Sequence, residues 1–344
     1  MRASPATDAE AQGWDELVVV TGRAHLAQTA AWADVKAITG WSARRFTFDD
    51  GGARHGVAQV LMKRLPLGIS VAYAPRGPLV EAARVGEAII ALRDALARER
   101  CASLLCDPEV PSGAGVLEEL ARAGVRRSPV FVQPRRTLLM DLAREPEDLL
   151  AAMKKKTRQY IHKAERGGVV TEETHDLERF LRVLRAVASR DRFALHSRAY
   201  FEKLVTALGG RGEMLMARVG DDDAGALLVA RVADRAWELY GGWSGAHGEL
   251  RPFYLLKWRA MLRMRAKGAR RYDMWGLTEH PEVASGSDAA SRHAADPLAG
   301  VENFKLGFGG EVAEWVGALE VPVRPMLYPL WTLGARSRLA RSAA

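Results

Sequence analysis

Residues 213–244 read EMLMARV, GDDDAG, ALLVARVAD and RAWELYGGWS in succession. Two apolar runs flank a turn of glycine and aspartate, which is the pattern of a β-hairpin, and a third strand follows at once. FYLLKWRAMLRMRAKG, at 253–268, carries apolar residues at helical spacing and stops at glycine. RRYDMWGL, at 270–277, reads as a strand again. Helix and strand signals thus alternate, which predicts a mixed α+β fold.

Working outward, the same order stands earlier in the chain. HLAQTAAWADVKAI (25–38) reads as a short helix, and WSARRFTF, DDGG and GVAQVLMKRLP (41–66) as a hairpin. ISVAYAPRGPLV is a strand, GEAIIALRDALARER a helix, and CASLLCDPEV a strand. The short helix LEELARAG and the strands PVFVQPRR and TLLMDL follow. The second half opens on the helix LHSRAYFEKLVTAL and ends on the short helix VENFKLGFGG and the strands of VAEWVGALEVPV. Trp32 and Tyr200, Tyr73 and Tyr240, and Asp107 and Asp273 stand 168, 167 and 166 residues apart. Such a near-constant offset reads as two copies of one plan. The spacing slips only where the polar segment 278–300 is inserted. The glycine-free junction REPEDLLAAMKKK predicts that the copies join through a helix near residue 145.

Composition sets the class. The chain has 344 residues, 48% of them apolar and 27% charged, enough for about two ordinary domains and too apolar for disorder. Its two cysteines, Cys101 and Cys106, fit no zinc or redox spacing, and the eight histidines are scattered. No metal site is expected. The first residues are polar and acidic, without the apolar core of a signal peptide, and no apolar run reaches the roughly 20 residues that span a bilayer. These features predict a cytoplasmic protein. The tail MLYPLWTLGARSRLARSAA mixes aromatic, aliphatic and arginine residues, a composition suited to a membrane surface or to packing.

The order helix, hairpin, strand, helix, strand, helix, strand is that of the GNAT acyltransferase fold, whose central strands part to form a cleft. Five stretches then resemble the FemABX family of peptidoglycan bridge-forming aminoacyltransferases. They are QTAAWADVK, YAPRGP, MKKKTRQYIHKAERGGV, YDMWGL and NFKLGFGGEVAEWVG, spread from about residue 28 to about 317. No charged helical hairpin is present, so the resemblance is to compact FemX-like members. It implies two tandem GNAT-like domains, 1–145 completed by 317–344, and 146–316. It implies an aminoacyl-tRNA donor, a UDP-linked or lipid-linked muropeptide acceptor at the inner face of the membrane, and no cofactor.

The chemistry asks little covalent help, because an aminoacyl ester is already activated. A neutral amine must come within about 3–3.5 Å of the ester carbonyl. One well-placed donor to the oxyanion contributes about 10²–10³ in rate, and a carboxylate takes the amine's proton. The resemblance assigns the cationic role to Lys305 and the carboxylate role to Asp107, with Asp273 in reserve. Without it, Lys305 is a helix-end lysine and Asp107 a strand-end turn residue. Gly307, Gly309 and Gly310 are expected to let backbone approach a ligand. Lys36, one turn after Trp32, matches the family's phosphate-binding lysine, with Arg76 as a second phosphate contact and Tyr73 beside it. His196, Tyr200 and Tyr254 are expected to line the acceptor channel; histidine at 196 departs from the family's arginine. Lys154, Lys155, Lys156 and Arg158 head a helix rich in cations, which suits phosphate binding, by tRNA or by the acceptor's pyrophosphate. The segment 278–300 is expected to border the donor pocket.

Two rivals remain. A coenzyme A-dependent N-acyltransferase would carry a Gln/Arg-x-x-Gly-x-Gly/Ala turn before a helix, and no such spacing occurs. A non-catalytic RNA-binding protein would use the basic helix alone, and no RNA-module motif is present.

Overall fold

The computed structural model describes residues 1–113, 115–278 and 299–334. The chain divides into two units, 1–135 with 314–344, and 136–313. The expected contact of segment 278–300 with a pocket, and the expected membrane contact of the tail, lie largely outside the described residues.

Unit one holds β1 (Arg2–Pro5), β2 (Trp41–Asp50), β3 (Ala53–Arg64), β4 (Ser70–Ala74), β5 (Cys101–Cys106) and β6 (Arg126–Arg127). β7 (Arg136–Asp141), β8 (Val170–Thr174), β9 (Gly212–Val219), β10 (Asp222–Val232), β11 (Arg235–Trp243), β12 (Arg271–Asp273) and β13 (Glu311–Glu314) form the second sheet, and β14 (Leu319–Pro322) returns to the first. The first sheet is ordered β1-β2-β3-β4-β5-β14-β6 and the second β8-β9-β10-β11-β12-β7-β13. The two orders are the same plan. In each, a long hairpin leads to two parallel strands, and the sixth position is taken by a strand from the far end of that unit's sequence. Unit one receives β14 after unit two is complete, and unit two opens with β7. Two tandem GNAT-like domains are thus present. The division falls before Arg136, not near 145, because β7 pairs with β12 and so belongs to the second sheet.

Each hairpin turns on two residues, Gly51–Gly52 and Gly220–Asp221. All three glycines have positive φ, as tight hairpin turns demand. Burial follows the expected faces. Helix Val85–Leu96 packs Ile89, Leu92 and Leu96 onto the first sheet, and helix Pro252–Ala266 packs Leu256, Ala260 and Met264 onto the second. Cys101 and Cys106 are both buried in β5, and burial pushes the Cys101 thiol up to about 12.

Three expectations change. PVFVQPRR is not a strand; Pro129 and Pro134 supply no N–H, and regular pairing starts only at Arg136. Strand β1 and helix Leu177–Asp191 stand where no element was expected, the latter begun by Asp176 accepting from the Arg179 amide at 3.0 Å. The matched landmarks also shift. Eight residues beyond the last pair of each hairpin turn, Leu61 faces Tyr73 and Ala230 faces Trp237. Tyr73 then pairs across the parallel ladder with Leu105, and Trp237 with Asp273. Ladder position thus equates Tyr73 with Trp237 and Leu105 with Asp273. The overlay by letters is two to three residues out, and the connection from β10 to β11 has two residues (233–234) where that from β3 to β4 has five (65–69).

Candidate active site

The second unit opens where its parallel strands part. β11 pairs with β12 only over Arg235–Trp237, and its remaining residues run on to line a cavity of about 580 Å³. Helix Pro252–Ala266 contributes Phe253, Tyr254 and Lys257, and helix Ala299–Leu306 contributes Val301, Phe304 and Lys305. The wall is mainly aromatic and aliphatic, with a few polar groups that converge, the usual make-up of a ligand pocket.

Lys305 is half-buried at this wall. Its Nζ donates to the carbonyl of Trp275 at 2.9 Å and of Gly276 at 2.6 Å. Burial first, and the charge of Lys257 second, lower its pKa to about 8. The accepting loop is itself held in an unusual shape. Trp275 sits at φ 56°, in the left-handed region a bulky residue seldom enters, and its N–H donates to Asp273 Oδ1 at 2.8 Å. Asp273 is further engaged by Thr137 and Arg235. Its place is under the loop, not on the cavity wall.

The GFGG turn departs from expectation in a specific way. A Cβ on Gly307 would meet Thr157 Oγ1 at 2.5 Å, and one on Gly309 or Gly310 would meet the carbonyls of Ala152 at 2.9 Å or Leu139 at 2.6 Å. The close approach these glycines permit is to the protein's own chain. That approach seats the Lys305 turn against helix Lys155–Arg166, and the Lys154 amide donates to Gly307 O at 2.9 Å. Lys154, Lys155 and Lys156 are exposed at this helix's first turn, where no acidic residue offsets the dipole. Arg158 turns back onto the carbonyls of Ala151 and Met153 and fixes the join between helices. From Lys156 an aromatic path runs inward: its Nζ lies 5.7 Å from the Tyr160 ring, which meets Tyr254 edge-on at 4.9 Å. The basic turn and the cavity are therefore neighbours.

His196 and Tyr200 stack at 4.0 Å, and Tyr240, a cavity residue, donates its hydroxyl proton to Tyr200 at 3.3 Å. The two sit one layer behind the wall. Sequence reading missed two cavity residues, Glu238 and Lys257, which form a buried ion pair. The available signal was a lysine at an inward helical position, four residues after Phe253 and before Met261.

The first unit gathers the remaining candidates. Gln28, fully buried, donates to Pro75 O at 2.7 Å and accepts from the Gln59 amide at 2.7 Å, stapling QTAAW to YAPRGP. Asp107 is 1% exposed; Tyr73 OH and the Arg76 N–H each donate to it at 2.6 Å. Burial raises the Asp107 pKa against the pull of Arg76. Arg76 also donates to Pro134 O at 2.9 Å. Lys36 lies 4.9 Å over the Trp32 ring, 1% exposed, its pKa lowered to about 8 by burial. The structure thus places Trp32 and Lys36 together, Tyr73, Arg76 and Asp107 together, and Lys305 with Tyr254 in the second unit.

Comparison with known proteins agrees with this geometry. Residues 11–115 match the FemAB family and residues 151–284 the acetyltransferase (GNAT) domain. Lipid II:glycine glycyltransferase of Staphylococcus aureus (strain USA300) is 27% identical over 264 residues, covering 72% of this chain and 59% of that protein. This chain therefore spans less than two thirds of that relative's length. FemX superposes with a TM-score of 0.82 at 21% identity, over 97% of this chain and 100% of that one. A tandem GNAT protein from the clavulanic acid biosynthesis pathway gives 0.52 at 18% identity, over 94% and 99%. The first unit thus matches the FemAB family over residues 11–115, and the chain as a whole has the fold of FemX.

Proposed function

We propose that this protein transfers an aminoacyl group from aminoacyl-tRNA to an amine on the stem peptide of a peptidoglycan precursor. One observation carries the reading: a half-buried lysine at an apolar cavity wall, its turn docked on a helix that presents three exposed lysines. A helix start that crowds cations without acids favours an incoming anion. A tRNA acceptor stem brings phosphate to that turn and its charged terminus to the cavity.

In the proposed step the acceptor amine attacks the ester carbonyl, a C–N bond forms, and the C–O bond to the ribose breaks. The Lys305 ammonium stabilises the oxyanion and the departing ribose oxygen, and the proton lost by the attacking amine ends on that oxygen as the ribose hydroxyl. Tyr254 and Tyr240 line the path, with Tyr200 and His196 packed behind Tyr240. The acceptor-binding set is assigned to unit one: Asp107, Tyr73, Arg76, Trp32 and Lys36. Trp32 Nε1 and Arg76 Nε are buried donors with no hydrogen-bond partner among the described residues. Such donors are costly unless a ligand satisfies them. No cofactor is needed, since the donor arrives activated.

Coenzyme A is the weaker donor. The helix that would face its pyrophosphate begins at Pro252, which has no N–H, after Arg251 in a left-handed conformation. No helix among the described residues is long and apolar enough to cross a membrane, so a lipid-linked acceptor implies contact at a membrane surface.

The test supplies radiolabelled aminoacyl-tRNA with a UDP-linked or a lipid-linked muropeptide. Transfer abolished by ribonuclease is the expected result. Transfer from acetyl-CoA instead, or tRNA retention with no transfer to either acceptor, would replace the proposal.

A further inference from the structure

We propose that Lys257, held by Glu238 in the cavity that Lys305 also lines, is a positioning residue whose buried charge sets the electrostatic environment of the Lys305 ammonium. The functional consequence rests on the reading of Lys305 given above; the electrostatic claim does not.

Lys257 is 2% exposed in the middle of helix Pro252–Ala266, where an apolar residue would pack. Its Nζ is paired with Glu238 and lies 5.7, 5.3 and 5.8 Å from the ring centres of Phe253, Phe304 and Phe308. The other carboxylate oxygen of Glu238 accepts from Tyr272 OH at 2.9 Å. A charge walled by three rings and fixed by one carboxylate has little freedom to move or hydrate. Phe304 precedes Lys305 on the same helix, and Lys257, Glu238 and Lys305 all line the one cavity. Maintaining a buried ion pair costs desolvation that an apolar pair of equal size would avoid, so packing alone does not explain its presence.

The charges facing Lys305 come from every neighbouring element. Lys257 opposes its proton; Glu238 on β11, Asp273 on β12 and Glu302 on its own helix favour it. Asp273 is held by Arg235, and Glu302 by Arg136. Arg190, Asp191, Arg251, Tyr240 and Tyr254 complete the ionisable lining. Lys257 exerts the strongest of the named charge effects, and burial acts in the same direction.

The experiment follows the Lys305 ¹³Cε shift against pH in full-length protein labelled at lysine Cε, with the signal assigned by its loss in Lys305→Arg. Lys257→Met removes the opposing charge and leaves Glu238, so the Lys305 midpoint should rise by about one unit. Lys257→Met combined with Glu238→Gln leaves no unpaired buried ion, and its midpoint should fall between wild type and the single variant. Where transfer is measurable, the high-pH fall in turnover should move with the midpoint. A Lys305 midpoint unchanged in both variants, or failure of both to fold, would overturn the proposal. Absence of transfer in wild type with these shifts intact would instead remove the functional reading alone.

Discussion

Unit one and unit two share a strand order but treat the space beyond their central parallel strands in opposite ways. In unit one β5 partners β4 from Ser70 through to Ala74, and the chain just beyond is clasped by Asp107, which accepts one hydrogen bond from Tyr73 OH and another from the Arg76 amide. In unit two the parallel ladder stops at Trp237, and β11 continues for six residues paired only with β10, lining a cavity. A carboxylate stands near the end of the fifth strand in each, yet Asp107 ties the two strands together, whereas Asp273 shapes a loop whose carbonyls hold Lys305. Beyond its ladder, one copy of the plan ties its strands together by polar bonds and the other lets a strand run on to line a cavity. The lesson is that a duplicated fold divides its duties by where the ladder ends.

If that division is right, substitution of Lys305 in unit two should act on the chemical step alone, and substitution of Asp107 in unit one should act on stability as well as on acceptor binding. The largest expected effect is from Lys305→Ala: turnover should fall by about 10²–10³-fold, with unchanged circular dichroism and melting temperature. Near-normal turnover would remove Lys305 from the step. Next, Asp107→Ala strands two buried donors, and unfolding in urea followed by tryptophan fluorescence should register a loss of about 2–4 kcal/mol. Wild-type stability there would show that the clasp is not what ties the strands of unit one together. A third outcome concerns the helix beside the cavity. Lys154→Glu with Lys155→Glu should weaken use of tRNA and reduce the log–log salt slope by about two. An unaltered slope would place phosphate binding elsewhere.

How far these differences could be read from the chain itself varies with their physical origin. The hairpins and the helices between the central strands were legible, because turn chemistry and apolar spacing are local, and the return of the C-terminal strand to unit one was implied by the family resemblance alone. Lys305 was found through its flanking NFKLGFGG, but the reason for that stretch was not: its glycines admit the carbonyls of Ala152 and Leu139, which lie far back in the sequence. The exact matching of the copies was also out of reach, since ladder register depends on the unequal connections 65–69 and 233–234 and on a bulge between Leu228 and Val229. Glu238 and Lys257 escaped for a further reason. Each looks like an ordinary charge within an amphipathic run, and only their mutual burial shows that they belong to the cavity.

The smallest effect is also the one that most sharpens the comparison. Lys36 and Lys305 both have pKa values lowered to about 8 by burial, one in each unit. A lysine that works as a cation is effective below its pKa and loses effect as pH rises past it. Turnover should therefore fall about ten-fold for each unit of pH well above 8 if Lys305 must be charged, since the charged fraction falls in that proportion. On the acid side the acceptor amine must lose its own proton, so the complete profile is bell-shaped. Arginine keeps its charge throughout this range. Lys305→Arg should lower the plateau, because a planar guanidinium does not occupy the ammonium's position between the two carbonyls, but it should abolish the alkaline limb. Lys36→Arg should leave that limb in place. If the limb instead vanished with Lys36→Arg and survived Lys305→Arg, the titrating charge would belong to unit one, and the assignment of chemistry to unit two would be reversed.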